Sequence, residues 1–360
     1  MWGDIAIAFL LAFITSFVLT PYTIKIAKKI GAVDVPKDER RMHKKAMPKF
    51  GGPAIIIAFV VATIYLIIIS SLEGNIDIFG EESYIIKLLG FLGGIIVLSV
   101  FCYFDDTKGI HPLIKLTGQL IAASIVVASG IRIINFDLPF LQGNVMLGNA
   151  FSVILTIGWI VGITNAINLI DGLDGLSSGI AIISCISLLI IFALNGSPFI
   201  AIIMTTALVG ALAGFLPFNF NPAKTFIGDI GSNFIGFALS IISILGIAKT
   251  ATAFVVVLPI IVLGLPIFDT VSAIVRRLIK GKSLKAVFQA DKGHLHHKLI
   301  EKGFTQKEAV LLLYGISVAC GMFAVILFES DIWKAISFAL MVIAVVAIGY
   351  KEFFKMKEGE

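Results

Sequence analysis

Apolar runs of about 18–25 residues recur along the chain, each long enough to cross a bilayer as a helix. Backbone polar groups within hydrocarbon must be satisfied internally, so only helices and closed barrels can span. The period-two alternation of barrel strands is absent. The expected fold is therefore all-α, a polytopic transmembrane helical bundle forming a single integral membrane domain over residues 1–360. About eleven spans are expected, near 5–24, 53–72, 85–104, 113–130, 150–169, 176–194, 198–217, 232–248, 253–278, 309–328 and 332–350. The ninth contains Pro259 and Pro266, which predicts a kink or break. Composition agrees, because a soluble domain with 58% hydrophobic and 14% charged residues would expose a large apolar surface. The first run has Asp4 as its only early charge, so it reads as a retained span rather than a signal peptide. Cys102, Cys185 and Cys320 lie inside apolar runs and read as packing residues.

Charge then orients the bundle. With the N-terminus outside and the spans alternating, 24 of the 28 Lys and Arg fall on inner segments. Only Lys87, Arg132, Lys249 and Lys334 fall outside, and the C-terminus is cytoplasmic. The net charge of +5 thus reports topology, lipid headgroups and anionic ligands, with no need for nucleic acid. The outer segment 131–149, with a turn signal at Gly143-Asn144, reads as a small hairpin.

The polar exceptions carry the functional signal. The stretch NAINLIDGLDG, 165–175, closes the fifth span. Asn165 and Asn168, like Asp171 and Asp174, are three apart and would share a helix face. Carboxylates beside a bilayer are costly to keep, which favours function over a mere polar cap. Asp105, Asp106, Asp229 and Asp269 fall on the same inner side, as do all five histidines. Pairing with a loop lysine is the plainer reading for any one aspartate, whereas convergence of six favours a site. Such a cluster repels itself unless a cation or cationic side chains neutralise it. Hard carboxylate oxygens suit Mg²⁺. Phe226, in FNFNPAKTFIGDIGSN, suits stacking on a base or anchoring at the membrane interface. In DKGHLHHKL, 291–299, a zinc site lacks a second ligand cluster. A cationic clamp on a diphosphate fits that loop better, against the plain reading of a solvated, His-rich turn.

These stretches, with PKFGG at 48–52 and FDD at 104–106, resemble the polyprenyl-phosphate N-acetylhexosamine-1-phosphate transferases, of glycosyltransferase 4 type. The form HLHHKL is similar to the branch using UDP-N-acetylglucosamine, and the wording NLIDGLDGLSSG to teichoic-acid initiators. The resemblance implies a Mg²⁺-dependent enzyme, with Mn²⁺ as a substitute, of the bacterial cytoplasmic membrane. It would transfer GlcNAc-1-phosphate from UDP-GlcNAc to undecaprenyl phosphate on the cytoplasmic face, releasing UMP. The resemblance also allows a homodimer. It makes Asp229 a metal ligand. Asp105 and Asp106 would handle the lipid phosphate, Asp105 as candidate general base, and Asn165, Asn168 and Asp171 would line the catalytic centre. Asp174 and Phe226 would recognise uracil, and Asn219 would contact the nucleotide. His294, His296 and His297 would lie near the diphosphate, with Lys44, Lys45 and Lys115 as further substrate contacts. Two other readings stand beside it: the phospho-MurNAc-pentapeptide transferase branch, and a secondary transporter for an anionic solute.

Overall fold

The computed structural model describes residues 2–36, 45–74, 84–136, 145–146, 148–247, 257–281, 293–330 and 332–343. Eight helices are long and apolar enough to cross a membrane. They are α1 (Trp2–Ile30), α2 (Gly52–Leu72), α3 (Tyr84–Lys108), α5 (Asn149–Ile170), α6 (Leu176–Asn195), α7 (Phe199–Asn219), α8 (Gly228–Ile247) and α12 (Gln306–Glu329). The remaining expected spans appear as the 17-residue α4 (Pro112–Ala128), a broken pair, and α13 (Ile332–Ile343). The broken pair is α9 (Val257–Val262) and α10 (Gly264–Gly281), interrupted at Leu263 between the two prolines. The start of that expected span, 253–256, lies outside the described residues. A short helix, α11 (Leu295–Glu301), precedes α12. The chain is a multi-pass membrane protein.

Helices α7 and α8 are apolar nearly all round, and 83% and 89% of their apolar stretches are buried, so they form the centre. Helices α1 and α3, at 22% and 28%, lie at the rim. Backbone contact between α5 and α8 depends on Gly236, where a Cβ would lie 2.6 Å from Thr164 Cα. That approach sets the last turn of α5 beside the first turn of α8.

Two short ladders interrupt the helices. Strand β1 (Val33–Asp34) pairs antiparallel with β2 (Met47–Pro48), and β3 (Asn135–Phe136) with β4 (Val145–Met146). The second is the expected hairpin, though Gly143-Asn144 lies outside the described residues. The first ladder presents PKFGG to the loop before α8. Phe226 N–H donates to Pro48 O at 2.8 Å, and Gly52 N–H to Ile227 O at 2.9 Å. Any side chain at Gly52 would meet Gly231 N at 2.3 Å. Two motifs far apart in sequence are thus clasped backbone to backbone.

Candidate active site

A pocket of about 570 Å³ opens where α3 and α5 end and α8 begins. Two groups joined by hydrogen bonds, with one ion pair to Lys49, line it. Lys49, Asp106, Asn168, Asp229 and Ser232 form one; Asp174, Asn221, Ala223 and Gln306 form the other. Asp34, Asp171, Asn219, Phe226 and His297 complete the polar and aromatic wall.

The first group is built on the start of α8. A helix begins with N–H groups that have no intrahelical acceptor. Asp106, on α3, supplies the acceptors: Asp229 N–H donates to its Oδ1 at 2.9 Å and Ile230 N–H to its Oδ2 at 3.0 Å. Asp106 is buried, with the Lys49 ammonium 3.7 Å from Oδ1. Its neighbour Asp105 turns away, accepting from Ile110 N–H at 3.0 Å and pairing with Lys115 at 3.1 Å. Lys115 also donates to Asn168 Oδ1 at 3.0 Å and closely to Asp229 Oδ1. Asn168 Nδ2 donates to Asp229 Oδ1 and to Ser232 Oγ, both at 2.9 Å. The self-repelling carboxylates expected from the sequence are therefore interleaved with two lysines.

One helical turn deeper lies a layer of amides in the same register. Gln119 follows Lys115 by four residues on α4, Asn165 precedes Asn168 by three on α5, and Asn233 follows Asp229 by four on α8. Gln119 Nε2 donates to Asn233 Oδ1 at 2.7 Å, and Asn165 Nδ2 to Gln119 Oε1 at 2.6 Å. Asn233 Nδ2 returns to Asp229 O at 2.8 Å. Unsatisfied amides inside the bundle would be costly, so this layer holds three helices in one register. Asn165 thus sits beneath the pocket wall rather than on it.

The loop between α5 and α6 brings Asp171 to the pocket. Ser177 Oγ donates to its Oδ1 at 2.6 Å. Burial pushes the Asp171 carboxyl up to about 7, against that hydrogen bond, and the Asp229 charge adds to the rise. A carboxyl so raised favours the fold while neutral, an advantage lost as pH climbs from about 4 to about 7. Asp171→Asn stays neutral throughout. In thermal melts without nucleotide or Mg²⁺, its stability gain over wild type should grow between pH 5 and pH 8. Partial solvent screening keeps the added gain to about 1–2 kcal/mol. A gain that does not change with pH would place the raised ionisation elsewhere.

The three histidines occupy three environments. His294 Nδ1 lies 2.8 Å from Asp269 Oδ2, and Leu295 N–H donates to Asp269 Oδ1 at 2.9 Å, so α10 anchors the start of α11. His296 is buried against Gly172, where a Cβ would lie 2.2 Å from its Nε2. Burial, with His297 and His294 beside it, pushes His296 down to about 3, so it is neutral. Only His297 reaches the pocket wall. The three rings stay together, with centroids 4.2–6.4 Å apart, so they form one cluster whose His297 faces the pocket.

Asn219 lines the pocket with both amide ends engaged, accepting from Ser178 Oγ at 2.9 Å and donating to Thr225 O at 3.1 Å. Lys45 is exposed and off the pocket wall, and Lys44 lies outside the described residues. Sequence reasoning missed Lys49, Ser232 and Gln306. Lys49 and Ser232 stand inside the motifs PKFGG and GDIGS, a signal that could have found them.

Residues 88–247 match the model of glycosyl transferase family 4. The chain is 38% identical to a protein of Bacillus subtilis (strain 168), over 96% of this chain and 90% of that one. That relative is named a probable undecaprenyl-phosphate N-acetylglucosaminyl 1-phosphate transferase. This chain is also 31% identical to a decaprenyl-phosphate N-acetylglucosaminephosphotransferase of Mycolicibacterium smegmatis, over 95% of this chain and 87% of that one. A phospho-N-acetylmuramoyl-pentapeptide-transferase of Streptococcus agalactiae is 36% identical, over 65% of this chain and 70% of that one.

Proposed function

The chain belongs to glycosyl transferase family 4, and from that premise we propose that it transfers GlcNAc-1-phosphate from UDP-GlcNAc to undecaprenyl phosphate. The products are undecaprenyl-diphospho-GlcNAc and UMP, in a first membrane step of cell-envelope polymer synthesis. The observation that carries this reading is one pocket lined by Asp229 and Asn168, both bonded to Lys115 behind them, together with Phe226 and Asp174. The positive-inside count supports a cytoplasmic face for that pocket, where UDP-sugars are found.

The nucleophile is already an oxyanion, so little proton removal is needed. A lipid phosphate oxygen attacks the β-phosphorus of the donor, the bond to UMP breaks, and UMP leaves with its electron pair. Positioning and charge are what the protein must supply. Lys115, held by three partners, and Lys49, at the pocket wall, place positive charge beside the phosphates. Asp105 holds Lys115 in place, a role that fits its partners better than proton abstraction. Phe226 would stack on the base.

The donor set fits Mg²⁺. Asp229 and Asp171 offer hard carboxylate oxygens on one wall, and Mg²⁺ is commonly held by one or two carboxylates plus substrate phosphates. When bound there it would neutralise charge on the diphosphate and the leaving group.

The test is UMP release by the purified chain with undecaprenyl phosphate and each donor. Mg²⁺-dependent release from UDP-GlcNAc should far exceed that from UDP-MurNAc-pentapeptide. A reversed preference would move the protein to the pentapeptide branch, and no release from either donor would revive the transporter reading.

A further inference from the structure

Asn221 lies between two pocket residues from distant parts of the chain. Its Nδ2 donates to Asp174 Oδ2 and to Gln306 Oε1, each at 3.0 Å. Ala223 N–H donates to the same Asp174 oxygen at 3.1 Å, so that oxygen is an acceptor. The Asn221 atom facing it must then be the amide nitrogen. That nitrogen also faces Gln306, so the Gln306 atom it meets must be the amide oxygen. The chain of constraints fixes the orientation of both amides. It leaves Gln306 Nε2 as a donor and Asp174 Oδ1 as an acceptor, neither with a hydrogen-bond partner among the described residues.

The donor is held firmly. Gln306 is the first residue of α12, directly after the cap Thr305. Thr305 and Glu308 form a capping box, with bonds of 3.3 and 2.8 Å. Gln306 and Asp174 therefore present one donor and one acceptor to the pocket that also contains Phe226.

Pyrimidines differ at the edge such a pair would meet. Uracil offers the N3–H donor flanked by two carbonyl acceptors. Cytosine offers N3 as an acceptor, with a donor amino group on one side. We propose that Gln306 determines base specificity: its side-chain N–H donates to the uracil 4-carbonyl while Asp174 accepts N3–H, selecting uridine over cytidine nucleotides. The inference rests on the reading of this pocket as a UDP-sugar site. With cytosine, the N3 lone pair would face a carboxylate and the amino group would face another donor. A site built around such a hydrogen bond rejects the mismatched analogue strongly, because buried polar groups are left unpaired.

The experiment is competitive binding of UMP and CMP to the full-length chain in nanodiscs with Mg²⁺. Wild type should prefer UMP by about 100-fold or more. Gln306→Glu replaces the donor by an acceptor, and a carboxylate in the first turn favours a helix, so the fold should persist. The UMP:CMP affinity ratio should fall by at least about 10-fold, with UMP losing and CMP holding or gaining. Gln306→Leu should lower the ratio through loss of UMP affinity alone. Either folded variant retaining the wild-type ratio would overturn the assignment while leaving the proposed function intact. Wild type that binds neither nucleotide would remove the proposed function, and this inference with it.

Discussion

Asp229→Asn should abolish turnover and Mg²⁺ dependence while the protein still folds and inserts. The amide keeps the shape of the side chain, and its oxygen can still accept from Asn168 and Lys115. Residue 229 N–H still reaches Asp106, so the start of α8 is undisturbed. Lys115 keeps Asp105 as a counter-charge. What disappears is the negative charge to which the proposed function assigns a cation beside the donor diphosphate. Removing a metal ligand should cost several kcal/mol of transition-state stabilisation, a loss of at least about 10³-fold in kcat. The measurements are UMP release across a Mg²⁺ titration and the melting temperature of the same preparation. Near-normal, Mg²⁺-dependent rates would end the assignment. Attention would then turn to Asp171, since Asp106 has both oxygens engaged by backbone and Asp105 is paired with Lys115.

Much of this arrangement is legible in the sequence, for identifiable reasons. Span length and hydropathy read out the helices because a bilayer imposes one length on all of them. Pro259 and Pro266 announce the break between α9 and α10 because proline removes a donor and clashes with the preceding turn. Aspartates at the ends of three spans do line one pocket, as charge beside an apolar bundle implies. Partnership is harder to read. Asp105 and Asp106 are adjacent, but successive helical residues point about 100° apart, and the rotation of α3 decides which one meets α8. Lys49 looks like one more cation in a basic loop until the β1–β2 ladder places it at the pocket. Gln119 and Asn233 are single amides in largely apolar spans. Their spacing of four from Lys115 and Asp229 becomes meaningful only once the three helices are seen in register.

Asp106→Asn should behave differently from Asp229→Asn, losing stability as well as activity. Asp106 is 2% exposed and each of its oxygens accepts one N–H from the first turn of α8. An asparagine has one acceptor. Turning its oxygen to either N–H points its own N–H₂ at the other, leaving a buried donor unsatisfied at about 1–3 kcal/mol. It also removes a negative charge from the positive end of α8 and from beside Lys49, about 1 kcal/mol more. The melting temperature should therefore fall well below that of Asp229→Asn. Turnover should fall by at least about 10²-fold, because the turn being released is the one that carries Asp229. Asp106→Glu keeps the charge on a longer arm and should recover part of the stability with little of the activity. If Asp106→Asn instead melts like wild type while turnover is lost, Asp106 acts on the lipid phosphate directly, as the resemblance implies.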